Sequence, residues 1–220
     1  MHTLIPESVG QFPFDRSWFL DVNSFARATA WLHAPARDYA KYGVVLFAAL
    51  LLWSWWAARG RRDLTAVAAS LWAPLGALVA LGLNQPLGRA VGEARPYAVL
   101  PHVEVLVSRT ADFSFPSDHA VMSGAVAAGV LLANRRLGLV AVVAALAMCL
   151  TRVYVGAHFP GDVMVGALFG AAVTLAGWFL LRGVLVRLVE ALTRTPLRVF
   201  VSAGSAAASS SARHASPDGA

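Results

Sequence analysis

"VMVGALFGAAVTLAGWFLL" (residues 163–181) runs without a single charged side chain. A helix needs roughly 20 mostly apolar residues to cross the hydrocarbon of a bilayer. There it must also satisfy every backbone N–H and C=O within itself. The stretch therefore reads as a membrane-spanning helix, and the rest of the chain repeats the pattern. Charge-free runs at Tyr42–Ala58, Leu64–Gly88, Ala120–Asn134 and Leu137–Thr151 precede it. Leu64–Gly88 is long enough alone, whereas the third and fourth runs need Ser117–His119 and Arg152 inside their helices. The 220 residues are 58% hydrophobic and 14% charged, with mean hydropathy +0.62. Soluble domains sit nearer half apolar and a quarter charged. We expect an all-α, polytopic membrane helix bundle of about five transmembrane helices.

Ahead of the first run, residues 1–41 carry Glu7, Asp15, Arg16, Asp21, Arg27, Arg37, Asp38 and Lys41, with no apolar core behind a basic start. No signal peptide is expected. Within them Trp18, Phe19, Leu20, Phe25, Ala28, Trp31 and Leu32 alternate with polar residues. Trp18–Leu32 reads as an amphipathic helix, lying in the membrane interface or packed on the bundle. The chain divides into this N-terminal segment (1–41), a transmembrane domain (42–200) and a Ser- and Ala-rich tail (201–220) expected to be disordered.

Cys149 is the only cysteine, which rules out a disulfide and a Cys-based metal site. Of 18 basic residues only Lys41 is lysine. The arginines gather at span ends rather than on one face, so the net charge of +6 does not point to nucleic acid. Arg59, Arg61 and Arg62 follow the first span, Arg135 and Arg136 separate the third and fourth, and Arg182, Arg187, Arg194 and Arg198 follow the fifth. The positive-inside rule puts these sets in the cytoplasm. Loops 89–116 and 152–161 then face outward, in a multi-pass membrane protein.

Three polar clusters meet on that outer side: "GRAVGEARPY" (88–97), "SFPSDHA" (114–120) and "TRVYVGAHFPGD" (151–162). Charges near hydrocarbon are costly and call for a reason. Ser117 follows Pro116 at the N-cap of an apolar helix, where free N–H groups and the positive dipole end suit an oxyanion. His119 falls in that first turn. Asp162, four residues after His158, is placed to accept a ring N–H and leave the other nitrogen as nucleophile or base. Arg95 and Arg152 carry planar forks matched to phosphate oxygens. Arg89 either joins them or pairs with Glu93 at i,i+4 on a helix. Arginines around two histidines and an aspartate repel a cation, so no metal is expected. The set suits an anion.

These residues resemble the type 2 phosphatidic acid phosphatase superfamily of membrane lipid phosphatases. Its signature is Lys-x6-Arg-Pro, Pro-Ser-Gly-His and Ser-Arg-x5-His-x3-Asp, in that order. The third part reads Thr151-Arg152-x5-His158-x3-Asp162 and the second Pro116-Ser117-Asp118-His119. The first keeps Arg95-Pro96 but has Gly88 where lysine is expected, with Arg89 one residue closer. Asp118 in the second motif looks like the bacterial undecaprenyl-diphosphate phosphatase branch, a resemblance that implies the bacterial cell membrane.

The resemblance implies catalysis without a cofactor or metal. His158 attacks phosphorus, Asp162 orients it, and His119 protonates the leaving oxygen and then activates water. Arg95, Arg152, Ser117, Asp118 and Arg89 form the phosphate-binding set. The implied partners are membrane lipids and a lipid phosphate substrate, a polyprenyl (undecaprenyl) diphosphate. The alternatives are another lipid phosphate, such as phosphatidic acid or phosphatidylglycerol phosphate, or an inactive lipid-binding or transport protein.

Overall fold

The structure, a computed structural model, describes residues 10–61 and 63–202. The first nine residues, Arg62 and almost all of the 201–220 tail lie outside the described residues. In chain order the elements are α1 (Asp15–Ala28), a 3-10 turn (Ala30–Leu32), α2 (His33–Gly60), α3 (Leu64–Val91), α4 (Pro96–Val99), α5 (Asp118–Ala133), α6 (Arg135–Tyr154), α7 (Pro160–Thr193) and α8 (Arg198–Val201). No strand occurs among the described residues. The expected all-helical bundle is present.

Local chemistry sets the helix ends. Asp63 caps α3 by accepting from the N–H groups of Thr65 and Ala66, and Asn134 caps α6 through Arg136 and Leu137. Gly92, at φ +67°, stops α3 in the left-handed conformation common just past a helix end. α2 starts at His33, so Arg37 and Lys41 ride on its first turns rather than preceding it.

Four helices, α2, α3, α6 and α7, are long and apolar enough to cross a membrane. The third expected span, α5, has only 16 residues. At about 1.5 Å per residue it rises about 24 Å, short of a full crossing. It tolerates this because α7, α3 and α6 enclose it, so its surroundings are protein rather than lipid. In lipid, helices associate by close packing more than by a hydrophobic driving force. A Cβ on Gly124 would lie 2.1 Å from the Ala167 carbonyl oxygen, and one on Gly170 2.0 Å from that of Val121. Only glycine lets α5 and α7 touch there.

Helix direction sorts the polar residues. The end of α3, the start of α5, the end of α6 and the start of α7 share one end of the bundle. The opposite end carries Arg59, Arg61, Arg135 and Arg136, with Arg61 donating to the Ala133 carbonyl at 2.8 Å. α1 closes the first end, packed on the protein. Its Phe19 meets Phe159 edge-on with ring centroids 5.5 Å apart. Asn23 exchanges two hydrogen bonds with the Glu104 backbone, and Asp15 accepts from the Gly161 N–H at 2.6 Å. Trp18 and Phe25 remain exposed on its outer face.

Candidate active site

His158 sits on the short connection between α6 and α7. Gly156, at φ +77°, makes that turn, and a Cβ there would lie 2.3 Å from the Glu104 carbonyl oxygen. The ring of His158 is buried, with Nδ1 2.8 Å from the Ser114 carbonyl oxygen. A carbonyl only accepts, so Nδ1 carries the proton and Nε2 keeps its lone pair. Burial pushes the ring below the ordinary histidine pKa, against the opposing pull of Asp162. A neutral imidazole with Nε2 free is the form that attacks an electrophile.

Nε2 faces Arg95, whose Nη1 donates to it at 3.1 Å and to the Ala157 carbonyl at 3.0 Å. The rest of the Arg95 fork grips Asp112 through two 3.0 Å bonds. Pro96, at the first position of α4, turns the chain so that Arg95 points back to the α6–α7 connection. Behind the ring, Asp162 Oδ2 stands 3.4 Å from Nδ1 and accepts from Ser114 Oγ at 2.5 Å and the Phe159 N–H at 2.8 Å.

In front of the ring lies a cavity of about 490 Å³, walled by Arg37, Lys41, Arg95, His119, Arg152 and His158 among others. Arg152 decides its character. The side chain is 8% exposed, its Nε has no hydrogen-bond partner, and it has no acidic partner among the described residues. An uncompensated buried guanidinium is costly. A cavity that retains one, beside an imidazole nucleophile, is built for an anion.

The PAP2 superfamily matches residues 69–184, which hold all three polar clusters. The chain belongs to the PAP2 superfamily. Among its relatives, the bacitracin transport permease protein BcrC of Bacillus licheniformis is 30% identical over 152 residues, 69% of this chain and 73% of that protein. Undecaprenyl-diphosphatase BcrC of Bacillus subtilis is 31% identical over 126 residues, 56% of this chain and 62% of that one. The lipid A 1-phosphatase of Rhizobium etli is 37% identical over 98 residues, 42% and 39% of the two chains. This PAP2 protein is a membrane lipid phosphatase by family.

Of the residues expected in the PAP2 site, Arg95, Asp118, His119, Arg152 and His158 line one cavity, and Asp162 backs His158. Arg89 lies apart, in an adjoining cleft of about 210 Å³ with Asn84, Gln85 and Gly88. Its alternative, a pair with Glu93, does not form, because α3 ends at Gly92 and Glu93 is turned into the bundle. Ser117 occupies the N-cap position but its hydroxyl does not cap. It is fully buried without a partner, while the Ser117 N–H donates to the Asp162 carbonyl at 3.2 Å. The Asp118 carboxylate accepts from Asn84 and Gln85. The Nδ1 proton goes first to Ser114 rather than to Asp162, since the backbone carbonyl is the nearer acceptor.

Sequence reasoning missed Ser114, Asp112, Arg37, Lys41 and Asp15. No spacing marks Asp112, Arg37, Lys41 or Asp15, which come from other segments, and nothing at the head of "SFPSDHA" signals that Ser114 faces His158.

Proposed function

We propose that this protein hydrolyses a polyprenyl diphosphate of the undecaprenyl type to the monophosphate and inorganic phosphate, through a phosphohistidine and without a metal. The observation that carries the reading is Arg152, a buried cation without a counter-ion in the cavity that the unprotonated Nε2 of His158 faces. The terminal phosphoryl group binds between Arg95 and Arg152, displacing Asp112 from the Arg95 fork. His158 Nε2 forms a bond to phosphorus as the bridging P–O bond breaks, and His119, made an imidazolium by the negative charge of the bound diphosphate, gives its proton to the departing oxygen. His119 then takes a proton from water, whose oxygen cleaves the P–N bond and releases phosphate. Ser114 and Asp162 hold the imidazole and favour the positive charge it gains. Four arginine and lysine side chains in the cavity wall, Arg37, Lys41, Arg95 and Arg152, support the metal-free part.

Arg37 and Lys41 favour a diphosphate over a monophosphate. They bring two further cations to the same cavity from the first turns of α2, and a diphosphate carries about one more negative charge for them to meet. The test is phosphate release by detergent-purified protein from a long polyprenyl diphosphate, its monophosphate, phosphatidic acid and phosphatidylglycerol phosphate, all in EDTA. We expect the diphosphate to give the highest kcat/KM, and Arg37→Ala with Lys41→Ala to lower it at least tenfold while changing the phosphatidic acid value less than threefold. Equal losses on both would remove the diphosphate assignment. Activity abolished by EDTA and restored by a divalent ion would remove the metal-free one. No release from any lipid would favour a binding or transport protein.

The arginine distribution supports a site on the outer face of the bacterial cell membrane. With Cys149 replaced by alanine, a membrane-impermeant thiol reagent applied to intact cells should label Ser108→Cys, near the site, and not Gly60→Cys at the opposite end. Labelling in the reverse pattern would place the site inside.

A further inference from the structure

Glu93 takes no part in the chemistry above, yet it is buried beside Ser114. The left-handed turn at Gly92 ends α3 and leaves Glu93 only 8% exposed. Both of its carboxyl oxygens are buried with no hydrogen-bond partner, and so is Asp162 Oδ1. Ser114 joins the two residues. Its N–H donates to the Glu93 backbone carbonyl at 2.8 Å and its hydroxyl to Asp162 Oδ2 at 2.5 Å. Ser114 thus brings the Glu93 carboxyl close to that of Asp162, with Asp15 and the Gln11 side chain also near it.

Two ionised carboxylates in contact and out of water repel strongly, so one of them holds a proton. Asp162 has the stronger hold on the negative charge. Its Oδ2 receives two donors, it stands in the first turn of α7 where helix N–H groups favour an anion, and it faces His158. Glu93 has only the Gln11 side chain beside it and no helix N-terminus or imidazole. Burial first, and then the charge of Asp162, push the Glu93 carboxyl up to about 8.

We propose that Glu93 is a positioning residue, a carboxylic acid that donates its hydrogen bond to Asp162 Oδ1 and so fixes the Asp162 carboxylate against His158. One proton then satisfies an oxygen on each residue. With Oδ2 held by Ser114 and Phe159 and Oδ1 by Glu93, the carboxylate cannot rotate away from the imidazole as it gains charge. The inference rests on the roles given above to His158 and Asp162.

The experiment compares three variants on whichever lipid phosphate the wild type hydrolyses best. Glu93→Gln keeps the shape and an N–H donor, and its kcat should stay within threefold of wild type. Glu93→Leu fills similar space with no donor, and its kcat should fall at least tenfold with KM within twofold. A glutamine variant as slow as the leucine one would overturn the proposal, as would a leucine variant with wild-type kcat. If Glu93→Leu does not give monodisperse protein, Glu93→Asp decides. Its shorter arm misses Oδ1, so a tenfold loss supports the proposal and wild-type kcat overturns it. His158→Ala separates the two levels. An active His158→Ala removes the site reading itself, whereas an inactive one alongside indistinguishable Gln and Leu variants removes only the role of Glu93.

Discussion

Replacing His158 with alanine should reduce phosphate release at least about 10³-fold, the scale seen when a covalent nucleophile is lost. At about 1.4 kcal/mol per tenfold change, that is about 4 kcal/mol of transition-state stabilisation. The expectation follows from geometry. Nδ1 is tied to Ser114, Asp162 stands behind it, and the unprotonated Nε2 faces the cavity beside Arg95. Rapid acid-free quenching of wild type with labelled substrate should trap a phosphoprotein that the variant lacks.

A pH dependence belongs to the same residue. Burial lowers the His158 pKa, so the attacking neutral form persists to lower pH than for an ordinary histidine near 6.5. The acid limb of kcat/KM should accordingly fall below pH of about 6.5. A variant retaining more than a few per cent of turnover would remove His158 as nucleophile, and an acid limb above 6.5 would contradict the buried, neutral ring.

Arg152→Met should separate activity from stability. Oxyanion-type contacts are worth about 10²–10³ in rate when removed, and kcat/KM should fall by that much. The fold, however, holds Arg152 as a buried cation without a counter-ion. An apolar side chain of similar length removes that desolvation cost. The variant should therefore unfold at the same temperature as wild type or higher. Vanadate, which resembles pentacoordinate phosphorus, should raise the unfolding temperature of wild type by mass action and that of the variant much less. A large drop in unfolding temperature would show that Arg152 is held by the fold rather than kept for substrate.

Much of this was legible in the chain. The all-helical bundle followed from runs such as 163–181, because lipid leaves a backbone few choices and the required length is fixed by the bilayer. The caps at Asp63 and Asn134 are equally local. The site was legible because three of its parts sit at helix ends with rigid spacing: Arg95-Pro96, Ser117–His119, and Arg152 with His158 and Asp162. Five of these residues do line one cavity.

Expectations that needed a direction rather than a position fared worse. Arg89 and Glu93 have helical spacing, but the helix stops at Gly92 and the pair never meets. Ser117 has the right type and place for a capping hydroxyl, yet α7 packs so closely that the hydroxyl is sealed in.

By itself, then, the sequence determined which segments enter the membrane, which end of the bundle is polar, and which residue types gather there, because each depends on composition and on repeats along one helix. Tertiary structure alone decided who holds whom. The Ser114 carbonyl accepts from His158 Nδ1, Asp112 occupies the Arg95 fork, α2 lends Arg37 and Lys41, and Glu93 is buried beside Ser114. These partners lie on different elements, tens of residues apart in the chain. The close crossing of α5 and α7, and the turns at Gly92 and Gly156, bring them together around one site.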